Sequence, residues 1–285
     1  MKEQNQDTLI IYHANCSDGF GAAYAAWKKF GDTATYIPLK NQAEIDIDFS
    51  GKDVYVLDYS FTKAVDDRAR SEANKVVVID HHGTAESVVT SHPENVFDQN
   101  HSGAVLAWQY FHPASAVPEL LRYIEDHDLW RFSLPDNQAY NAALRQYEHS
   151  FEIWDDLIKK LGDSNFRHDF INQGQLICKF EDSLIEDLLT YKERARFQGY
   201  EIWVLNVSRR YRSILGHRLA QLNKQAGGVP LAIVYYRYEG AVHLSLRSED
   251  DIDVAAIAEQ FGGGGHKHSA SIRIKNFKDL PFEFI

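Results

Sequence analysis

Val76-Val77-Val78-Ile79-Asp80-His81-His82-Gly83 decides how this chain is built. Four β-branched residues without alternation suit a strand covered on both faces, as in a parallel sheet flanked by helices. The run stops at an acid and two histidines, and Gly83 lets the backbone turn. In open α/β sheets, ligands sit at the carboxyl ends of strands. Asp80, His81 and His82 are therefore either metal or phosphate ligands at such an edge or an ordinary polar strand end.

The preceding chain repeats the pattern. Residues 8–12 (Thr-Leu-Ile-Ile-Tyr) read as a strand that ends at His13-Ala14-Asn15-Cys16-Ser17-Asp18-Gly19, before an apolar helix. Asp18 or Ser17 caps that helix, or His13, Cys16 and Asp18 form a ligand loop. The helix start also offers N–H groups to an anion. Residues 33–37 predict an edge strand halted by Pro38. Residues 53–57 predict a strand delivering Asp58, and residues 63–74 a polar-faced helix. Three junctions, at Asp18, Asp58 and Asp80, point to carboxylates converging on one sheet edge to hold metal; separate caps need no such coincidence.

Asn100 or Ser102 opens another helix, and residues 117–124 form the next. That helix leads into Glu125-Asp126-His127-Asp128, which is either a fourth acidic ligand, Asp126 or Asp128, or a polar loop with local caps. Residues 139–197 read as mostly helical, with Trp154, Leu157, Ile158 and Leu161 in the core. Cys178, among Leu176, Ile177 and Phe180, reads as a buried packing residue. From 198 on, strands are expected at 200–206, 231–236, 242–248 and 270–274, and helices at 213–225 and 253–261. Gly262-Gly263-Gly264-Gly265 then runs into His266-Lys267-His268, which reads as a loop allowing close backbone approach to an anion. A basic excess over residues 192–218 is a place to grip a phosphate backbone.

Composition narrows the class. Of 285 residues, 44% are hydrophobic and 25% charged, as in an ordinary globular protein. The net charge of −11, from 30 basic and 41 acidic residues, argues against a general duplex-DNA coat and fits a carboxylate-rich cation site. Two cysteines make no disulfide framework. No apolar run approaches the roughly 18 residues of a membrane span. The polar start lacks the basic and apolar parts of a signal peptide, so a cytoplasmic protein without a membrane partner is expected.

His13…Asp18-Gly19, Asp58, Asp80-His81-His82 and Asp126, followed by Gly263-Gly264-Gly265-His266, resembles the DHH phosphoesterase superfamily with a C-terminal DHHA1 domain. Relatives include RecJ-type exonucleases, nano-RNases, cyclic-dinucleotide phosphodiesterases and family II pyrophosphatases. The resemblance covers nearly the whole chain, with the helical middle least constrained. It implies an α/β fold: an N-terminal parallel-sheet domain with helices on both faces, a helical middle segment, and a smaller mixed-sheet α/β domain. The expected division is a metal-binding catalytic domain with its helical connector over 1–190 and a substrate-binding domain over 198–285.

The implied cofactor is a pair of Mn²⁺ ions, with Mg²⁺, Zn²⁺ or Fe²⁺ as substitutes. By position, His13 and Asp58 hold the first ion. Asp18, Asp58, His81 and Asp126 hold the second, with Asp58 bridging. Asp80 orients His81, and His82 faces the phosphate. Arg247 with Gly263, Gly264, Gly265 and His266 holds the phosphate or terminal nucleotide. Asp126 is preferred to Asp128 because it directly follows the helix. The family motif usually reads His-x-Asp-x-Asp; here Cys16 stands at the first acid, and His13 lies one residue further off. A thiolate suits Zn²⁺ or Fe²⁺ better than Mn²⁺. The expected activity is phosphodiester hydrolysis of short oligonucleotides or dinucleotides. The alternatives are a polyphosphate or cyclic-dinucleotide hydrolase, or a non-catalytic nucleotide sensor with a decayed metal site. The resemblance also permits a homodimer.

Overall fold

The computed structural model describes residues 7–40 and 45–285; the polar opening, residues 1–6, lies outside them. The chain divides into two compact units, residues 1–178 and 179–285.

The first unit begins with β1 (Thr8–His13), α1 (Ser17–Phe30), β2 (Ala34–Leu39), β3 (Asp53–Leu57), α2 (Lys63–Glu72), β4 (Lys75–Asp80), α3 (Glu86–Val89) and β5 (Val96–Phe97). The strands lie in the order β2-β1-β3-β4-β5, and every pairing is parallel. From β1 the chain steps one way to β2 and then the other way to β3. This reversal is where open parallel sheets present ligand crevices.

The alternation of side chains explains why these strands are apolar throughout. Ile10, Tyr55, Leu57, Val77 and Ile79 face a core shared with α1 and the later helices. Leu9, Ile11, Val54, Val56, Val76 and Val78 face another, with Phe49, Phe61, Ala69 and Val89. Both faces are thus covered, as the β-branched run requires. Each such residue removed from water contributes about 1.5–3 kcal/mol.

Pro38 does not halt β2. It pairs opposite Tyr12 within the strand. β2 is at the sheet edge, and a proline on the open side of an edge strand removes no ladder bond.

Helices α4 (Gly103–Phe111), α5 (Glu119–Asp128), α6 (Asn137–Leu144), α7 (Phe151–Lys160) and α8 (Ser164–Leu189) follow. Ser102 caps α4, accepting from Val105 N. Trp154, Leu157 and Leu161 are in the core, as their spacing predicts. Cys178 is instead partly exposed, because Leu176 and Phe180 beside it are turned outward on α8. Among the described residues, no helix is long and apolar enough to cross a membrane.

The second unit adds β6 (Glu193–Phe197), β7 (Tyr200–Asn206), α9 (Arg212–Gln225), β8 (Leu231–Tyr238), β9 (Ala241–Ser248), α10 (Val254–Glu259), β10 (Gly264–His266), β11 (Ser269–Ile274) and β12 (Glu283–Phe284). They form one mixed sheet, β10-β11-β9-β8-β7-β6-β12, in which only β7 and β8 run parallel. Residues 193–197 extend this sheet as a strand and do not prolong the helix before them.

Candidate metal centre

Strand ends bring the chemistry together. β1 ends at His13, β3 delivers Asp58, and β4 delivers Asp80 followed by His81 and His82. Asp58 is buried, with its backbone in the left-handed region at φ 50°. A non-glycine residue held there costs free energy and persists where the surroundings impose it, often at functional sites. The Asp58 N–H donates to the Ile79 carbonyl, which ties the ends of two strands together.

The two oxygens of Asp58 face different partners. Oδ2 lies 3.4 Å from His13 Nδ1 and 3.7 Å from Cys16 Sγ. Oδ1 lies 3.2 Å from His81 Nε2, yet accepts no well-formed hydrogen bond although it is buried. His81 Nε2 also stands 3.6 Å from Asp18 Oδ2 and 3.6 Å from Asp128 Oδ2. Three carboxylates thus converge where one imidazole nitrogen stands.

Asp18 is fixed from a distant part of the chain. Its Oδ2 accepts from Gly103 N at 2.7 Å and its Oδ1 from Ala104 N at 2.9 Å, so it closes the open end of α4. Cys16, not Asp18 or Ser17, is the cap of α1: its Sγ accepts from Gly19 N at 3.3 Å.

The electrostatics are those of crowded acids. Burial and the Asp58 and Asp128 carboxylates push Asp18 well above its ordinary range. Burial and Asp58 likewise raise Asp128. For Asp58, burial alone would raise the carboxyl, but the His13 and His81 imidazoles beside it and the charges of His82 and His81 hold it far below. Burial would lower His81, but its bond to Asp58 and the charges of Asp18, Asp58 and Asp128 outweigh this and raise it to about 9. Burial, then the Asp58 and Asp18 carboxylates, pushes the Cys16 thiol upward.

This donor set fits divalent cations. His13, Cys16 and Asp58 form one group of potential ligands, and Asp18, His81 and Asp128 another; Asp58, Asp80, His81 and His82 also lie together. The unsatisfied Asp58 Oδ1 belongs to the same cluster. Oxygen and imidazole donors suit Mn²⁺ or Mg²⁺, and a thiolate suits softer ions.

Two expectations need correction. Asp80 does not hold the His81 ring: its Oδ1 lies 2.7 Å from His82 Nδ1 and takes only the backbone N–H of His81. Ser60 Oγ donates to the other oxygen at 2.6 Å. Asp80 therefore orients His82, and Ser60 is a supporting residue without a local sequence signal.

Asp126 is also turned away from the cluster. Its carboxylate accepts from Ser133 N and Oγ, Leu134 N and Asn137 Nδ2. The reason is that α5 does not stop at residue 124 but continues to Asp128. At 3.6 residues per turn, positions two apart face opposite sides of a helix. Asp126 ties down the loop after α5, and Asp128 takes the position beside His81. Asp126→Ala is expected to lower the stability of the metal-free chain by about 2–3 kcal/mol, as a lower melting temperature. Asp128→Asn should spare stability and weaken divalent-ion binding in titration calorimetry. The reverse pattern would return the ligand role to Asp126.

The remaining candidates lie in the second unit. Arg247 donates to Ser213 Oγ at 2.9 Å and to the Leu246 carbonyl at 2.8 Å. Burial and nearby Arg212 lower its guanidinium to about 10. Arg247 pairs opposite Ser269, which pairs opposite His266, so the three occupy one row across three strands.

Gly264 and Gly265 are in β10, so the glycine run is not a simple loop. A Cβ at Gly263 would lie 2.1 Å from Ser271 O, and one at Gly265 2.4 Å from Ser269 O. Close approach to β11 accounts for these two glycines. Much of the basic excess is engaged within the unit: Arg210 and Arg218 reach Glu181 and Glu186, both at 2.9 Å, and Lys192 and Arg194 lie over the Trp203 ring.

Comparison with known proteins agrees with this organisation. The DHHA1 domain family matches residues 212–282. An uncharacterized protein of Acanthamoeba polyphaga mimivirus is 27% identical over 303 residues, covering 98% of this chain and 70% of that protein. Among solved structures, PggH from Vibrio cholerae, a pGpG-specific phosphodiesterase, aligns with a TM-score of 0.50 at 13% identity, over 95% of this chain and 94% of its own. RecJ from Thermus thermophilus, solved with Mn²⁺, aligns with a TM-score of 0.50 at 15% identity, over 94% of this chain but only 49% of RecJ. Residues 212–282 thus match the DHHA1 domain family, and nearly the whole chain shares its fold with PggH and RecJ.

Proposed function

We propose that the chain is a divalent-metal-dependent phosphohydrolase that cleaves phosphodiester bonds in short oligonucleotides or dinucleotides. The observation that carries this reading is the sharing of Asp58 between two donor groups at one sheet edge. When bound there, divalent ions supply charge that neutralises the phosphate oxygens, and they make water acidic enough to attack at neutral pH.

The chain's own residues do the rest. Asp58 sets the relative position of the two groups. Asp80 fixes one face of His82, leaving Nε2 to hold or deliver a proton at the leaving oxygen. Arg247 and His266, in one row of the second sheet, are the groups proposed to take a phosphate or terminal nucleotide. A short substrate is favoured by the acidic net charge and by the engaged state of many basic residues in 192–218. The likeness to a pGpG phosphodiesterase supports a dinucleotide.

The test is a panel of substrates offered to the full chain with Mn²⁺: a linear dinucleotide, short RNA, short DNA, a cyclic dinucleotide, pyrophosphate and polyphosphate. Mononucleotide release from the dinucleotide, lost on chelation, is expected. Cleavage confined to polyphosphate or the cyclic compound would replace the substrate class. Nucleotide binding without any hydrolysis would leave a sensor and overturn the enzyme.

A further inference from the structure

The two donor groups that share Asp58 differ in chemistry. One offers nitrogen, sulfur and oxygen from His13, Cys16 and Asp58. The other offers Asp18, His81 and Asp128, to which Asp58 adds Oδ1. On the first side, Cys16 Sγ and His13 Nδ1 approach the same carboxylate oxygen, Asp58 Oδ2. The thiol is held there by its place at the start of α1, where Asn15 turns the backbone in the left-handed region at φ 62°. On the second side, the buried Oδ1 has no hydrogen bond to satisfy it. The carboxylate thus presents one oxygen to a sulfur-containing group and the other to an oxygen-rich one.

Ion preference follows donor softness. Sulfur and imidazole favour Zn²⁺, Fe²⁺ or Co²⁺, whereas carboxylate-rich groups suit Mn²⁺ and Mg²⁺. We propose that the centre is heterodinuclear, with a borderline-soft ion on His13, Cys16 and Asp58 and a hard ion on Asp18, Asp58, His81 and Asp128. On loading, the Cys16 S–H bond breaks, a sulfur–metal bond forms, and the proton goes to solvent. The inference rests on the metal-dependent reading above and deepens it by assigning a different ion to each side.

The test uses the full chain carrying Cys178→Ala, so that Cys16 is its only thiol. The protein is stripped with a chelator and titrated with Co²⁺. A near-ultraviolet sulfur-to-cobalt charge-transfer band should grow to one equivalent and be absent when Cys16→Ser is added. After exposure to Zn²⁺ and dialysis against excess Mn²⁺, metal analysis should find one Zn²⁺ and one Mn²⁺ per chain. Losing an outer partner of a ligand already costs 10–100-fold in affinity, so Cys16→Ser should weaken Zn²⁺ binding by at least about 100-fold. Cys16→Asp, which restores a hard donor, should instead bind two Mn²⁺ ions.

Two bound Co²⁺ ions without the band, or unchanged Zn²⁺ affinity in Cys16→Ser, would overturn the proposal. If metal-dependent hydrolysis survives that result, only the ion assignment falls. A band with correct metal content but no cleaved phosphodiester would support the assignment and overturn the enzymatic reading.

Discussion

Asp58→Ala is expected to reduce phosphodiester hydrolysis by at least about a thousandfold while the chain remains folded. Each oxygen of this carboxylate faces a different donor group, so one substitution weakens both. A thousandfold loss corresponds to ~4 kcal/mol of transition-state stabilisation, within the several kcal/mol that metal charge supplies. Folding should survive because the change also removes one of three mutually repelling acids, of which Asp18 and Asp58 are buried. That relief offsets the loss of partners for His13 and His81. Circular dichroism, metal analysis and the dinucleotide assay on one preparation check this. A folded Asp58→Ala chain with full metal-dependent turnover would end the assignment.

Gly103→Ala should be nearly as damaging, although residue 103 offers no ligand. A Cβ there would lie 2.5 Å from Asp58 Cβ and 2.8 Å from Asp58 Oδ1. The same residue's N–H donates to Asp18 Oδ2. No flexible side-chain end can yield, since Asp58 is buried and its backbone strained. Either α4 or the carboxylates must move. Overpacking of this kind costs about 1–3 kcal/mol, and a shift of about 1 Å in a catalytic constellation costs roughly a hundredfold in rate. Thermal denaturation and the hydrolysis assay should therefore both fall. Wild-type turnover at an unchanged melting temperature would show that close approach at Gly103 does not position the two acids.

These residues also mark what a reader of the chain can and cannot see. His13, Asp58 and Asp80 were legible because each follows a run apolar on both faces, and the carboxyl ends of parallel strands share one edge. Gly103 was not, because its constraint comes from a residue 45 positions away. Residues 193–197 read as helix from sequence because Glu193, Arg194 and Arg196 leave little apolar signal, whereas the structure makes them a strand that buries Ala195 and Phe197. The end of α5 misled for a related reason. Its last turn, Glu125-Asp126-His127-Asp128, is wholly polar and reads as a loop, although acids on either side of a helix satisfy different neighbours.

That last turn of α5 works as a key cut on two sides. One edge, Asp126, engages Ser133, Leu134 and Asn137; the opposite edge, Asp128, is turned toward His81. Adding one residue earlier in the helix would rotate both edges by about 100° and mismatch both at once. The length of α5 is therefore under a tighter constraint than its composition. Apolar residues on its inner face can be exchanged for others of similar volume, whereas the number of residues before Asp126 cannot change without uncoupling the loop from the metal centre.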